Sequence, residues 1–437
     1  MGRATRDGAR RRAAAWIAVA GVFVVLATAT GVGFYATSAY VAALTGERGF
    51  SLATASSGPT LSFVLAGLGG VLAAWLLPRL GVRPLLLIGA AGSGIGLFLL
   101  GLAESPASLW LSFALTGGVG ALMAVVPCTS LITRWFHPTP AKALTIATTG
   151  MSAGGAVVSP FVVLLIERYG LRTGTGLLAV LSVTVVTLVA VILREPRDGA
   201  AVPPAATQAT AAARPATAMT VSMAAELAAS PAGDEPPRPV WTFPVLSLAF
   251  GLLMLSQVGV VTHLLPIARD AGVGGAGFAL TALAVSSVCA RLLGIPLLSR
   301  FGLLRFSCAV AALQAAAMAL IAVSGDLPVL VLSTALLGAT VGNAVVLMPL
   351  HILAAYGLGR FDRLFARLNL VSTIGTAGGP LVLGLLHGAF AGYRVALLLL
   401  AAGSGIASAL LFACHIDTRS SSQVSTSSRE DRAASSG

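Results

Sequence analysis

Arg291 has more chemistry to offer than any other residue in this sequence. It is the only charged side chain well inside a long apolar run, the one covering roughly residues 275–298. About nine residues, or ~13 Å of helix, separate it from Arg300 at the end of that run. An arginine at such depth costs roughly 2.5–3.5 kcal/mol on insertion scales, and residues that bear this cost face a water-filled cavity or a partner. No acid lies deep in another apolar run. A guanidinium binds a carboxylate through two parallel hydrogen bonds, so the chemistry on offer is anion binding rather than bond cleavage. The competing reading is that Arg291 snorkels to the surface or braces helix carbonyls.

Four uncharged groups accompany it. His263 could bind a ligand or carry a proton, its ordinary pKa being about 6.5, or it could bond to nearby backbone. Gln257 lies deeper in the same run and could line the same space. Asn343 could meet a ligand or bridge two helices, a bond worth about 0.6 kcal/mol on average. Tyr35, like Tyr40, falls late in the first run, where tyrosines line a cavity or form the interfacial aromatic belt. No group of residues forms a catalytic constellation. Cys128, Cys289, Cys308 and Cys414 include no CxxC pair, so neither a metal nor a redox site is expected. Lys142 lacks the Gly-Lys-Ser/Thr context of a phosphate loop. The expectation is a chain with no catalytic residues, no metal and no cofactor.

The elements that hold these residues follow from composition. Of 437 residues, 57% are hydrophobic and 10% charged, against roughly 25% charged in a soluble domain. The apolar residues come in blocks of about 20, the length that crosses a bilayer. Six blocks fall at roughly 16–41, 53–77, 84–103, 107–131, 141–165 and 173–193. Six more fall at roughly 242–265, 275–298, 306–324, 328–354, 366–388 and 391–414. The first is too long for a signal-peptide core of about 7–15 residues and reads as a transmembrane helix. The formal charge of +12 does not mark a nucleic-acid binder, because the basic residues are scattered between apolar blocks. The fold class is therefore all-α and polytopic, with twelve transmembrane helices.

Residues 194–240 are rich in Ala, Pro and Thr, hold acids including Glu195, and contain no spanning block. They read as a flexible linker between a six-helix half at 1–193 and another at 241–416, with a disordered Ser-rich tail at 417–437. Charge sets the orientation. One set of short loops holds Arg79, Arg83, Arg134, Lys142, Arg300, Arg305, Arg360, Arg363 and Arg367, on the same side as five N-terminal arginines. The other set holds only Arg48, Arg168, Arg172, Arg269 and Arg394. Both termini and the linker are expected in the cytoplasm, and the chain in the plasma membrane.

The halves repeat one another. Leu76-Leu77-Pro78-Arg79-Leu80-Gly81, followed by Arg83, resembles Leu297-Leu298-Ser299-Arg300-Phe301-Gly302, followed by Arg305. Gly120–Pro127 matches Gly342–Pro349, and Ala153-Gly154-Gly155 matches Ala377-Gly378-Gly379. Three matches in order at nearly constant offset indicate a parallel repeat, an arrangement that places a binding site between the halves near the midplane.

The chain resembles the major facilitator superfamily of transporters, and within it the monocarboxylate and oxalate/formate transporter-like branch. Four stretches carry the likeness: Gly31-Val32-Gly33-Phe34-Tyr35; Arg134-Trp135-Phe136 with Gly150, Gly154 and Gly155; His263-Leu264-Leu265-Pro266 with Asp270 and Gly272; and Gly378-Gly379-Pro380. The resemblance implies secondary transport of a small organic anion by alternating access, proton-coupled or by exchange, with Arg291 on the carboxylate. It assigns gating to Arg79, Gly81, Arg83, Arg300 and Gly302, and raises Tyr35 as a cavity residue. The sequence departs from the pattern where the acid expected before the gating arginine is Pro78, with Ser299 as its counterpart, and where an acid expected one turn before Arg291 is Ser287. The partners expected are a small-molecule substrate and the lipid bilayer, without nucleic acid, for a functional monomer. The alternatives are an exporter of an uncharged or hydrophobic molecule, with Arg291 structural, and a non-transporting sensor.

Overall fold

The computed structural model describes residues 2–136, 141–195, 241–275 and 277–434. The expected linker therefore lies, from residue 196 to 240, outside the described residues. Among the described residues, eleven segments are long and apolar enough to cross a bilayer. One of these, Ala143–Ile192, breaks at Gly170, where φ 74° and ψ 170° leave the helical region, and so supplies two crossings. We number the twelve helices α1 (Arg12–Glu47), α2 (Leu52–Leu80), α3 (Val82–Gly101), α4 (Pro106–Trp135), α5 (143–169), α6 (171–192), α7 (Thr242–Asp270), α8 (Gly277–Phe301), α9 (Leu303–Ala322), α10 (327–356), α11 (358–390) and α12 (Tyr393–Cys414). Gly357, at φ 66°, separates α10 from α11. The helical backbone of α12 continues to Ala434, into the Ser-rich stretch read above as a disordered tail.

Local chemistry starts several of these helices. Ser51 Oγ accepts from Thr54 N at the head of α2. Ser105 and Ser108 form a capping box at α4, with Pro106 in its first turn. Asp326 accepts from Val329 N at 2.9 Å to open α10. Each such cap satisfies an amide that has no partner within the helix. The outer faces are apolar: Leu68, Val71 and Trp75 on α2, Val180, Leu188 and Val191 on α6, and Leu292 and Leu293 on α8 are all exposed. A monomeric protein in water rarely exposes so much contiguous hydrocarbon; here it is the surface that faces lipid.

The repeat inferred from sequence is present in space. Gly81 and Gly302, at the paired turns, have φ/ψ of 81°/177° and 77°/159°, a conformation that only glycine adopts without strain. Gly117 packs on the Ser62 carbonyl between α4 and α2, and Gly338 packs on the Leu283 carbonyl between α10 and α8. Gly150 and Gly154 of α5 sit on the α1 backbone at Phe23 and Ala27, as Gly375 and Gly379 of α11 sit on α7 at Gly251 and Leu255. Small residues allow this backbone approach, which is how helices gain packing energy where lipid supplies no hydrophobic drive.

The buried core is not symmetric along the membrane normal. At the end away from the basic loops, one apolar cluster runs through both halves, from Val32–Leu44 of α1 to Val260–Ala268 of α7 and Leu397 of α12. At the basic end there are two clusters, each confined to one half: one around Leu26, Leu85 and Leu131, the other around Phe250, Met348 and Leu368. Among the described residues, three hydrogen bonds cross between the halves at the shared end. Leu265 N donates to Ser38 Oγ at 2.7 Å, Arg269 Nη1 to Ala42 O at 2.8 Å, and His263 Nε2 meets Ser56 Oγ at 3.0 Å. The halves are joined at that end and carry separate cores at the other.

A Cβ added at Gly154 would stand 2.9 Å from Gly31 N, and one at Gly379 2.5 Å from Leu255 O. Gly154→Leu and Gly379→Leu should each cost at least about 1–3 kcal/mol through overpacking, read as lower melting temperatures in detergent. Gly405→Ala, which meets nothing within 4 Å, should leave the melting temperature unchanged.

Candidate functional site

Arg291 enters the interior from α8 with its flanks laced to α10. Its Nε lies 3.3 Å from the Gly342 carbonyl, and Asn343 Nδ2 returns a hydrogen bond to Ala290 O at 3.2 Å. The guanidinium is partly buried, and among the described residues no carboxylate lies within ion-pair distance of it. Across the gap between the halves, the Tyr35 side chain interacts with Arg291 and Ser287. Ser287 Oγ is itself buried and makes no hydrogen bond of full geometry. A cation, a phenol and an incompletely bonded hydroxyl thus converge from α8 and α1. Their common complement is a small group with acceptor oxygens.

Tyr35 reaches this place because α1 is not regular. Residues Gly31–Tyr35 form a π turn, which inserts an extra residue and re-aims the side chains after it. Its ring lies against Gly155, where a Cβ would come within 2.8 Å. Tyr35 and Tyr40 are both buried, so neither belongs to an interfacial belt; Tyr40 donates to Val32 O at 3.1 Å. Ser287, read from sequence only as the place of a missing acid, is a member of the site.

The remaining polar residues separate by role. Gln257 holds its amide within the C-terminal half, donating to Gln314 Oε1 at 2.9 Å and Thr340 Oγ1 at 3.3 Å, while Gln314 donates to Leu253 O and Ser404 Oγ. Asn343 also donates to Ala339 O at 2.9 Å, so it positions α8 and Arg291. His263 is fully enclosed. Its Nε2 lies 3.0 Å from both Ser56 Oγ and the Pro380 carbonyl, and its Nδ1 lies 3.0 Å from Tyr393 Oη. It is a junction of α2, α7, α11 and α12 at the closed end. His351, partly buried, pairs with Ser307 at 2.7 Å.

At the basic end, Arg79 stacks its guanidinium 3.9 Å from the Trp75 ring and donates to Trp75 O. Arg83 donates to the Leu193 and Val191 carbonyls at the end of α6. Glu195, assigned from sequence to the linker, takes a structural place instead. Its carboxylate accepts from Val82 N at 2.8 Å, capping α3 directly after Gly81, and lies 3.6 Å from Arg134 at the end of α4. The acid missing before Arg79 thus has a counterpart from another helix end, which one-dimensional spacing does not reveal. The Arg300 guanidinium lies 5.7 Å from the Phe301 ring; its half has no equivalent carboxylate among the described contacts.

A model of the Major Facilitator Superfamily matches residues 21–355. The chain belongs to that superfamily. Its solved structural neighbours include the nucleoside transporter NupG, with a TM-score of 0.69 at 13% identity over 91% of this chain and all of that one. A peptide transporter of the POT family aligns with a TM-score of 0.68 at 15% identity, over 92% of this chain and 94% of that one. These identities bear on the fold alone. Monocarboxylate transporter 11 of Mus musculus is 30% identical over 216 residues, covering 49% of this chain and 44% of that protein. Monocarboxylate transporter 13 of Rattus norvegicus is 27% identical over 118 residues, covering 27% and 28%. The alignments span less than half the length of these relatives. The protein is a multi-pass membrane transporter of the superfamily.

Replacing His263 with Ala removes the group that joins Ser56, Tyr393 and the Pro380 carbonyl. In a cysteine-free background carrying Ser38→Cys, the His263→Ala change should raise the rate of labelling by a membrane-impermeant thiol reagent several-fold from the end that is closed here. An unchanged rate would show that the apolar cluster and the Arg269–Ala42 bond hold that end shut without His263.

Proposed function

We propose that this transporter moves a small organic anion with a carboxylate group by alternating access, Arg291 holding the carboxylate between the halves. The observation that carries the reading is a guanidinium deep in the membrane region whose described partners are a carbonyl, a phenol and no acid. Burying a charge without a counter-charge is expensive, and a bound anion offsets that cost. Tyr35 and the Ser287 hydroxyl supply further donors to the same oxygens. The relatives named as monocarboxylate transporters agree with this class of substrate.

Orientation follows from the basic loops. With that end cytoplasmic, as the positive-inside rule requires, both termini are cytoplasmic and the separated cores face inward. The conformation described is then open to the cytoplasm and closed outside, with His263, Ser38 and Arg269 in the outer closure. The transporter works at the plasma membrane as a monomer, because the site lies between two halves of one chain. It needs no cofactor or nucleic-acid partner, and Arg79, Gly81, Arg83, Arg300 and Gly302 shape the inner gate. Coupling is to protons or by exchange. One observation favours a second reading, export of an uncharged compound: Arg291 already contacts the Gly342 carbonyl and could act as a brace.

Counterflow in proteoliposomes with a panel of small carboxylates separates the two. Arg291→Gln should lower uptake at least tenfold, or about 1.4 kcal/mol, while the protein remains monodisperse. Arg291→Lys should retain only part of the activity, because an ammonium cannot make the bidentate contact. Carboxylate counterflow indifferent to Arg291→Gln would sink the assignment of that residue, and no counterflow with any carboxylate would favour the uncharged-compound reading.

A further inference from the structure

A cavity of about 310 Å³ lies in the N-terminal half between α1, α2, α3 and α4. It exists because α4 is not one helix. Residues Leu115–Val119 form a π turn and Gly120–Met123 a 3₁₀ turn, and Ala124, at φ −85° and ψ −141°, ends the first piece before Val125–Trp135 begins a new helix. Irregular backbone at membrane depth is tolerated where it is buried in protein or lines a cavity, and residues 116–126 supply much of this wall. The large side chains on the wall are Phe34, Phe63, Met123, Val125 and Val126. No charged side chain lines it.

Two consecutive residues link the cavity to the Arg291 cluster: Phe34 is on the cavity wall, and Tyr35 belongs to the cluster. Tyr35 interacts with Arg291. Phe34 stands edge-on to Tyr35 with ring centroids 5.0 Å apart, and faces Phe63 at 5.7 Å. We infer that this cavity takes the apolar body of the transported carboxylate, so that the substrate class is monocarboxylates bearing an aryl or branched-alkyl group rather than two- or three-carbon acids or dicarboxylates. The inference rests on the anion reading above and deepens it. A second carboxylate in this space would be buried with no counter-charge. A short acid would leave the space unfilled and forgo the contacts of its wall, each buried methylene being worth about fourfold in affinity. The volume falls within the ordinary range for pockets that hold small organic ligands.

Two glycines make the idea testable without damage to packing. A Cβ at Gly33 or at Gly70, both on the cavity wall, meets nothing within 4 Å, so larger side chains there grow into empty space. Three probes are compared on the full-length protein in lipid nanodiscs by calorimetry: 4-phenylbutyrate, acetate, and the neutral 4-phenylbutan-1-ol. The variants are Gly33→Val, Gly70→Leu and Arg291→Gln. In the native protein, phenylbutyrate should bind at least tenfold tighter than acetate. Gly33→Val and Gly70→Leu should each weaken phenylbutyrate at least tenfold and leave acetate within twofold. If acetate binds as tightly as phenylbutyrate, or if both glycine variants shift the two acids equally or neither, the assignment of the cavity is overturned. If phenylbutanol binds as tightly as phenylbutyrate, both weaken in the glycine variants, and Arg291→Gln changes neither, the cavity holds its apolar body while the carboxylate reading falls. Binding of none of the three overturns both.

Discussion

Hydrocarbon offers no hydrogen-bond partner to a peptide group, and this constraint organises the whole molecule. It forces the chain into helices that satisfy their own amides. Departures from the regular helix are then costly unless protein or a cavity receives the loosened backbone. The departures here are few and gathered in the N-terminal half: π turns at Gly31–Tyr35, Leu115–Val119 and Gly154–Val158, and the break at Ala124. Two of them touch each other across Tyr35 and Gly155, and the others wall the apolar cavity. The C-terminal half keeps regular helices through the site and contributes the charge. One half is shaped and the other is charged, and the cluster around Arg291 draws on both.

The same constraint explains how the halves can move. Within each half, helices are held by backbone-to-backbone approach at glycines, by buried networks such as Gln257–Gln314–Ser404, and in the N-terminal half by Glu195 tying the starts and ends of α3, α4 and α6. Between halves, besides the meeting of Tyr35 with Ser287 and Arg291 at the site, three hydrogen bonds are described, and all three lie at the end where the apolar core is continuous. Breaking three neutral or singly charged hydrogen bonds and parting one apolar interface is a modest cost beside unfolding either half. Rocking of rigid halves about a central site is the motion that such an energy distribution permits.

Most of the architecture was legible in the sequence because it depends on local composition. Twelve apolar blocks, their short loops, the side bearing the arginines and the paired Arg-Gly turns are properties of consecutive residues. Arg291 was legible for the same reason, since a lone charge in an apolar run needs no three-dimensional knowledge to notice. Residues whose role depends on direction were not. Gln257 has the right depth to line a central space, but it faces its own bundle. His263 has the right chemistry for a ligand, but its ring nitrogens are already occupied by Ser56, Pro380 and Tyr393. Glu195 looked like one more linker acid until the fold brought Gly81 and Arg134 to it.

What the sequence by itself determined is therefore the solvent, the number of crossings and the internal duplication, because hydrophobicity and helix length act residue by residue along the chain. What only the tertiary structure decided is which face of each helix looks inward, where the halves share a core, and that Tyr35 and Ser287 meet Arg291 beside an apolar cavity. A π turn of five residues rotates every side chain that follows it, and no periodicity read along one helix specifies the partner on the next.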